Sequence, residues 1–135
     1  MKALIIDDEP FICELLSEFL KPFGDVSFLT EGAEALDRVK EAYKDGSAFD
    51  LLCLDINLAE ISGLNILKDL RVFEKEMEIP EEKAVNVVMI TSSYESQYFF
   101  EAHQYGCQGY LTKPILREDL LGKVEELGII SDWDV

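Results

Sequence analysis

The order of apolar runs along the chain predicts an α/β fold: a doubly wound, five-stranded parallel sheet with helices on both faces. Three observations carry that prediction. Short β-type runs alternate with stretches of helical spacing five times over. One run, residues 51–54, is continuously apolar, the pattern of a strand buried on both faces, and residues 85–90 read as a second buried strand. The length of 135 residues with 48% hydrophobic content suits one domain with its own core.

The elements follow in order. Residues 3–6 form a short strand ending at Asp7 and Asp8. Pro10 suits a first helical turn, and Phe11, Ile12, Leu15, Leu16, Phe19 and Leu20 keep helical spacing until Pro22 and Gly24. Residues 26–29 make a second strand, after which Thr30 is placed to cap a helix over 32–44 that stops at Gly46. The third strand, 51–54, ends in Asp55, and beyond Gly63 the residues Leu64, Ile66, Leu67, Leu70, Val72 and Phe73 mark a third helix. The charged stretch 74–83, broken by Pro80, is expected as a surface connection, a helix end followed by a solvated loop. Residues 85–90 form the fourth strand and end in Thr91; a helix over 95–105 stops at Gly106; 109–112 form a fifth strand ending in Lys113-Pro114. A last helix runs from Glu118 to about Leu127. The expected division is one domain over 1–128 and a short C-terminal tail over 129–135.

Composition excludes several function classes. With 28 acidic against 12 basic side chains and a net charge of −16, direct binding to nucleic acid or an anionic membrane is disfavoured. Cys13, Cys53 and Cys107 sit in apolar settings and read as core residues, and a lone His103 cannot complete a zinc site. The N-terminal apolar run is too short for a signal-peptide core and no run approaches a membrane span, so the expected setting is the cytoplasm.

In open parallel α/β sheets, ligands bind beyond the carboxyl ends of the strands. Those ends carry Asp7-Asp8, Asp55, Thr91-Ser92 and Lys113. Three carboxylates on one rim repel unless a cation sits among them, and hard oxygen donors at a watered site favour Mg²⁺. A carboxylate beside Mg²⁺ and a lysine is a plausible nucleophile toward phosphorus, because the cations offset the charge that repels an incoming phosphoryl group. Taken singly, Asp7-Asp8 reads as a turn before a helix, Asp55 as a loop residue, and Tyr110 as a half-buried strand aromatic.

Taken together, the segments Leu-Ile-Ile-Asp7-Asp8-Glu9-Pro10, Leu-Asp55-Ile-Asn57-Leu with Gly63, Ile-Thr91-Ser92, and Gly-Tyr110-Leu-Thr-Lys113-Pro114 resemble the receiver domain of two-component response regulators. The single-domain chemotaxis kind, with its flavodoxin-like (βα)5 fold, is the nearest match. The resemblance spans about residues 2–127. It implies a phosphorylation-dependent switch in which Asp55 accepts a phosphoryl group from a sensor histidine kinase or phosphotransfer protein. It further implies Mg²⁺ held by Asp7, Asp8, Asp55 and the Asn57 backbone carbonyl, with Lys113 pairing the phosphoryl oxygens across a cis Lys113-Pro114 bond. Thr91 and Tyr110 would form the switch, Thr91 moving to the phosphoryl group and Tyr110 rotating inward. Phe99, His103 and Tyr110 would lie on the partner face formed by the fourth helix, fifth strand and fifth helix, with Phe100 in the core. The downstream protein target stays open, and a homodimer on the same face is possible.

Departures from the family pattern are Ala59 for a frequent proline, and Ser92 and Cys107 for small residues. Ser93, two residues beyond Thr91, is too small to shield an acyl phosphate, which implies a lifetime of minutes or less. Two competing classes are a Mg²⁺-dependent phosphotransferase or phosphatase, which lacks an insertion able to build a substrate cap, and a phosphorylation-independent interaction module, which the complete set Asp7, Asp8, Asp55, Thr91 and Lys113 disfavours.

Overall fold

The computed structural model describes residues 1–131. Its strands are β1 (Lys2–Ile6), β2 (Asp25–Leu29), β3 (Leu51–Asp55), β4 (Asn86–Thr91) and β5 (Gly109–Thr112). They alternate with helices α1 (Pro10–Leu20), α2 (Ala35–Lys44), α3 (Gly63–Glu76), α4 (Ser96–Gln104) and α5 (Arg117–Glu126). All strand pairs are parallel, in the order β2-β1-β3-β4-β5. The chain therefore moves outward from β1 to β2, returns to β3, and continues the other way. That reversal opens a crevice between the carboxyl ends of β1 and β3.

Two apolar layers hold the sheet. On one face, Cys13, Leu16 and Leu20 of α1 and Leu120, Leu121 and Val124 of α5 pack on Ala3, Ile5, Cys53, Val88 and Ile90. On the other, α2, α3 and α4 bury Val39, Leu67, Leu70 and Ala102 against Leu4, Ile6, Leu52, Leu54 and Met89. Alternation along each strand sends successive side chains to opposite layers, so the central strands must be apolar throughout. The three cysteines are buried and free of disulfides, as expected of core residues. Gly46 and Gly106 end α2 and α4 with positive φ (74° and 96°), a conformation that costs glycine little. Of the expected C-terminal tail, Ile130 is buried against the α1–α5 layer, and residues 132–135 lie outside the described residues.

Three expectations need correction. Thr30 does not cap α2: a 3-10 turn at Gly32–Glu34 intervenes, and neither it nor α2 has a side-chain cap. Phe100 is not core but 68% exposed. The α4 positions that reach the sheet side are Tyr98, Ala102 and Tyr105, spaced by four and three residues, which rotates Phe100 outward. Nor is residue 74 solvated. Helix α3 ends within the stretch at Glu76, as expected, but Glu74 follows Leu67 and Leu70 on its buried face. There its carboxylate accepts hydrogen bonds from the Tyr43 hydroxyl (2.6 Å) and the Val85 N–H (3.0 Å) and pairs with Arg71 (2.6 Å).

Candidate functional site

Strand register sets the site. Ile6 lies beside Leu54 and Asp55 beside Ile90, so the first residues past β1 and the end of β3 come level across the crevice. The Lys113 N–H donates to the Thr91 carbonyl (2.7 Å), continuing the β4–β5 ladder by one residue. Asp7, Asp8 and Asp55 consequently bring one carboxylate oxygen each to within 4.8 Å of one another. Asp7 and Asp55 are buried, whereas Asp8 is exposed at the mouth.

Lys113 reaches into this cluster from the β5 end, across a cis Lys113–Pro114 peptide. Its Nζ lies 2.8 Å from Asp7 Oδ2, 2.9 Å from Glu9 Oε2 and 3.6 Å from Asp55 Oδ2. The other oxygen of Asp7 accepts the Glu9 N–H (2.8 Å), while Asp55 Oδ1 has only a long bond from the Asn57 N–H (3.3 Å). Burial, reinforced by the neighbouring Asp7 carboxylate and opposed by Lys113, pushes Asp55 up to about 6. Burial likewise raises Asp7, against the bond from Lys113. Burial by itself would lower Lys113, but its bonds to Asp7 and Glu9 and the nearby Asp55 outweigh it and hold the ammonium above its ordinary range.

The loop after β3 is shaped by close packing. Gly63 donates its N–H to the Ile56 carbonyl (2.8 Å), and Asn57 bridges to Ser62, folding the loop back on itself. A Cβ on Gly63 would collide with the Asp55 carbonyl oxygen, so the glycine permits the approach that holds Asp55 at the rim. Thr91 is buried and its Oγ1 accepts the Ser93 N–H (3.0 Å). The Tyr110 hydroxyl is buried with no hydrogen-bond partner among the described residues, and its ring stands edge-on to Phe99 at 5.2 Å. The His103 ring lies tilted against Phe99 at 4.3 Å, so Phe99, His103 and Tyr110 form one aromatic group beside the rim.

Asp7, Asp8, Asp55 and Lys113 thus meet at one point, Thr91 and Asn57 border it, and the three aromatic residues sit together further out. Sequence reasoning missed two contributors. Glu9 was read only as part of the acidic motif, although a third consecutive acid was the available signal. Cys13 donates its Sγ–H to the Asp7 carbonyl (3.2 Å) from below, with no signal in its spacing. Three oxygen donors this close, two of them on buried carboxylates and one open to solvent, match the preference of a hard divalent cation.

Comparison with known proteins agrees with this arrangement. Residues 3–125 match the response regulator receiver domain family. The chain is 30% identical to the chemotaxis protein CheY of Pseudomonas aeruginosa, over 94% of this chain and 95% of that protein. It is 24% identical to hybrid signal transduction histidine kinase L of Dictyostelium discoideum, over 94% of this chain but only 7% of that protein. In the solved CheX–CheY–BeF3–Mg²⁺ complex of Borrelia burgdorferi, one chain superposes with a TM-score of 0.81 at 23% identity, covering 96% of this chain and 90% of that one. With five parallel strands, an acidic crevice and this match across nearly its whole length, the chain belongs to the receiver domains of two-component response regulators.

Proposed function

We propose that Asp55 is the phosphoacceptor of a signalling switch, charged by a sensor histidine kinase or phosphotransfer protein and read by a downstream protein. The observation that carries this is the meeting of a poorly satisfied Asp55 carboxylate with Asp7, Asp8 and the Lys113 ammonium. Mg²⁺ would be held by Asp7, Asp8, Asp55 and the Asn57 backbone carbonyl; when bound it supplies charge neutralisation for the transferring phosphoryl oxygens. A carboxylate oxygen of Asp55 attacks the phosphorus of a phosphoimidazole. The new O–P bond forms as the P–N bond breaks, and its electron pair returns to the imidazole nitrogen. Lys113 donates to the phosphoryl oxygens, and Thr91 exchanges its bond from Ser93 for a donated bond to the same group.

Movement of Thr91 couples to Tyr110, and through its edge contact to Phe99 and His103. That group, on the face of α4, β5 and α5, is the surface where partner binding changes, whether the partner is another protein or a second copy. The role is signalling rather than metabolic turnover, and hydrolysis of the acyl phosphate resets it. Ser93 shields nothing, since its small hydroxyl accepts the Glu95 N–H within its own turn (3.2 Å), so a lifetime of minutes or less follows. Buried, unpaired Cys13, Cys53 and Cys107 agree with a reducing cytoplasmic setting, and no helix among the described residues is long and apolar enough to cross a membrane.

Incubation with Mg²⁺ and acetyl phosphate, followed by mass spectrometry, should place one phosphoryl group on Asp55. The modification should disappear with EDTA or in Asp55→Asn. No uptake, or uptake elsewhere, overturns the reading, and a label persisting for many hours overturns the lifetime.

A further inference from the structure

We propose that Glu9 is a latch on Lys113, holding the ammonium in the resting protein and releasing it when a phosphoryl group is seated on Asp55. The proposal rests on Asp55 being the phosphoacceptor. It makes Glu9 a positioning residue that sets how readily the activated state forms.

An ammonium has three N–H donors. One of those of Lys113 is donated to Glu9 Oε2 at 2.9 Å, and the ammonium lies 2.8 Å from Asp7 Oδ2 and, at a longer distance, 3.6 Å from Asp55 Oδ2. A phosphoryl group on Asp55 needs a close donor from Lys113; the third donor can supply it, but drawing Nζ toward that group stretches the two tight contacts, and one partner then has to yield. Asp7 is poorly able to do so: it is fully buried, and its second oxygen is fixed by the Glu9 N–H. Glu9 is built to yield. Its side chain is 61% exposed and it pairs with Lys113. Its backbone stays put meanwhile, because its carbonyl accepts the Ile12 and Cys13 N–H groups as the N-cap of α1. Release therefore takes only side-chain rotation into water, and the exchange costs little because exposed ion pairs are weak.

The test measures the affinity of the full chain for beryllofluoride at saturating Mg²⁺, by calorimetry, in wild type, Glu9→Gln, Glu9→Ala and Glu60→Gln. Glu60 is a second exposed acid at the same mouth, beside Asp8, and serves as a control for general charge repulsion. Both Glu9 variants should bind beryllofluoride about two- to fivefold more tightly, the range an exposed pair spans, while Glu60→Gln stays close to wild type. No gain in the Glu9 variants, or an equal gain in Glu60→Gln, overturns the latch. Weaker Mg²⁺ binding by Glu9→Gln without beryllofluoride would make Glu9 part of the cation site and overturn it as well. Failure of the wild type to bind beryllofluoride would instead refute the phosphoacceptor reading beneath it.

Discussion

Each end of the sheet buries a carboxylate, and the two are treated in opposite ways. At the amino end of β4, Glu74 receives the Tyr43 hydroxyl, the Val85 N–H and the Arg71 guanidinium, all within 3.0 Å. Arg71 also donates to the Gly106 carbonyl and to Gln108, so one group ties α2, α3 and the turn after α4 to the start of the sheet. At the carboxyl end, Asp55 has one long backbone bond and an ammonium at 3.6 Å, and faces Asp7. The satisfied carboxylate holds structure together. The unsatisfied one stores unfavourable charge that a cation or a phosphoryl group can relieve, which is how a site comes to respond to its ligand.

That contrast can be broken most directly by removing each carboxylate. Glu74→Ala strands a buried hydroxyl, an N–H and a guanidinium, and should cost about 3 kcal/mol or more in urea unfolding. Asp55→Asn should act with the opposite sign, stabilising the cation-free protein by about 1–3 kcal/mol at pH 7. A loss of stability in Asp55→Asn equal to that of Glu74→Ala would erase the distinction. The pH dependence sharpens the same point. Asp55 is raised to about 6, so the fold favours its protonated form. Its contribution to stability is therefore complete below its ordinary pKa of 3.8 and lost as pH rises through 6. Wild type without divalent cation should lose stability between about pH 4 and 6 relative to Asp55→Asn, and Mg²⁺ should restore it. By the same linkage, Mg²⁺ affinity measured by calorimetry should fall as pH drops below 6.

Two smaller effects complete the set. Gly63→Ala forces the loop away from the Asp55 carbonyl and should cost about 1–3 kcal/mol, with weaker Mg²⁺ binding as the readout of a displaced Asp55. Tyr43→Phe removes one donor from Glu74 but leaves Arg71 and the Val85 N–H in place. It should cost about 1 kcal/mol in urea melts and leave Mg²⁺ binding unchanged. A change in Mg²⁺ affinity would mean that the two ends are coupled rather than independent.

Much of the rim was legible in the sequence because a parallel sheet aligns its strand ends, so the residue after each apolar run is also a residue of the site. Asp7, Asp8, Asp55, Thr91 and Lys113 all followed from that rule. Glu74 and Phe100 did not. A charged residue ahead of Glu76, Glu78 and Pro80 resembles the start of a loop, and nothing local reveals that α3 rolls it against Tyr43. Phe100 was misplaced because Tyr98-Phe99-Phe100 offers three apolar positions, and only the packing of Ala102 on the sheet selects which faces in.

The sequence by itself determined the order and type of the elements, the two-layer core and the residues at the strand ends. These depend on periodicity and on neighbours in the chain, which a linear text records. Only the tertiary structure decided which acids are buried, which are satisfied, and that Glu9 meets Lys113 from 104 positions away. Electrostatic character depends on burial and on partners distant in sequence, and both exist only once the sheet has brought its ends together.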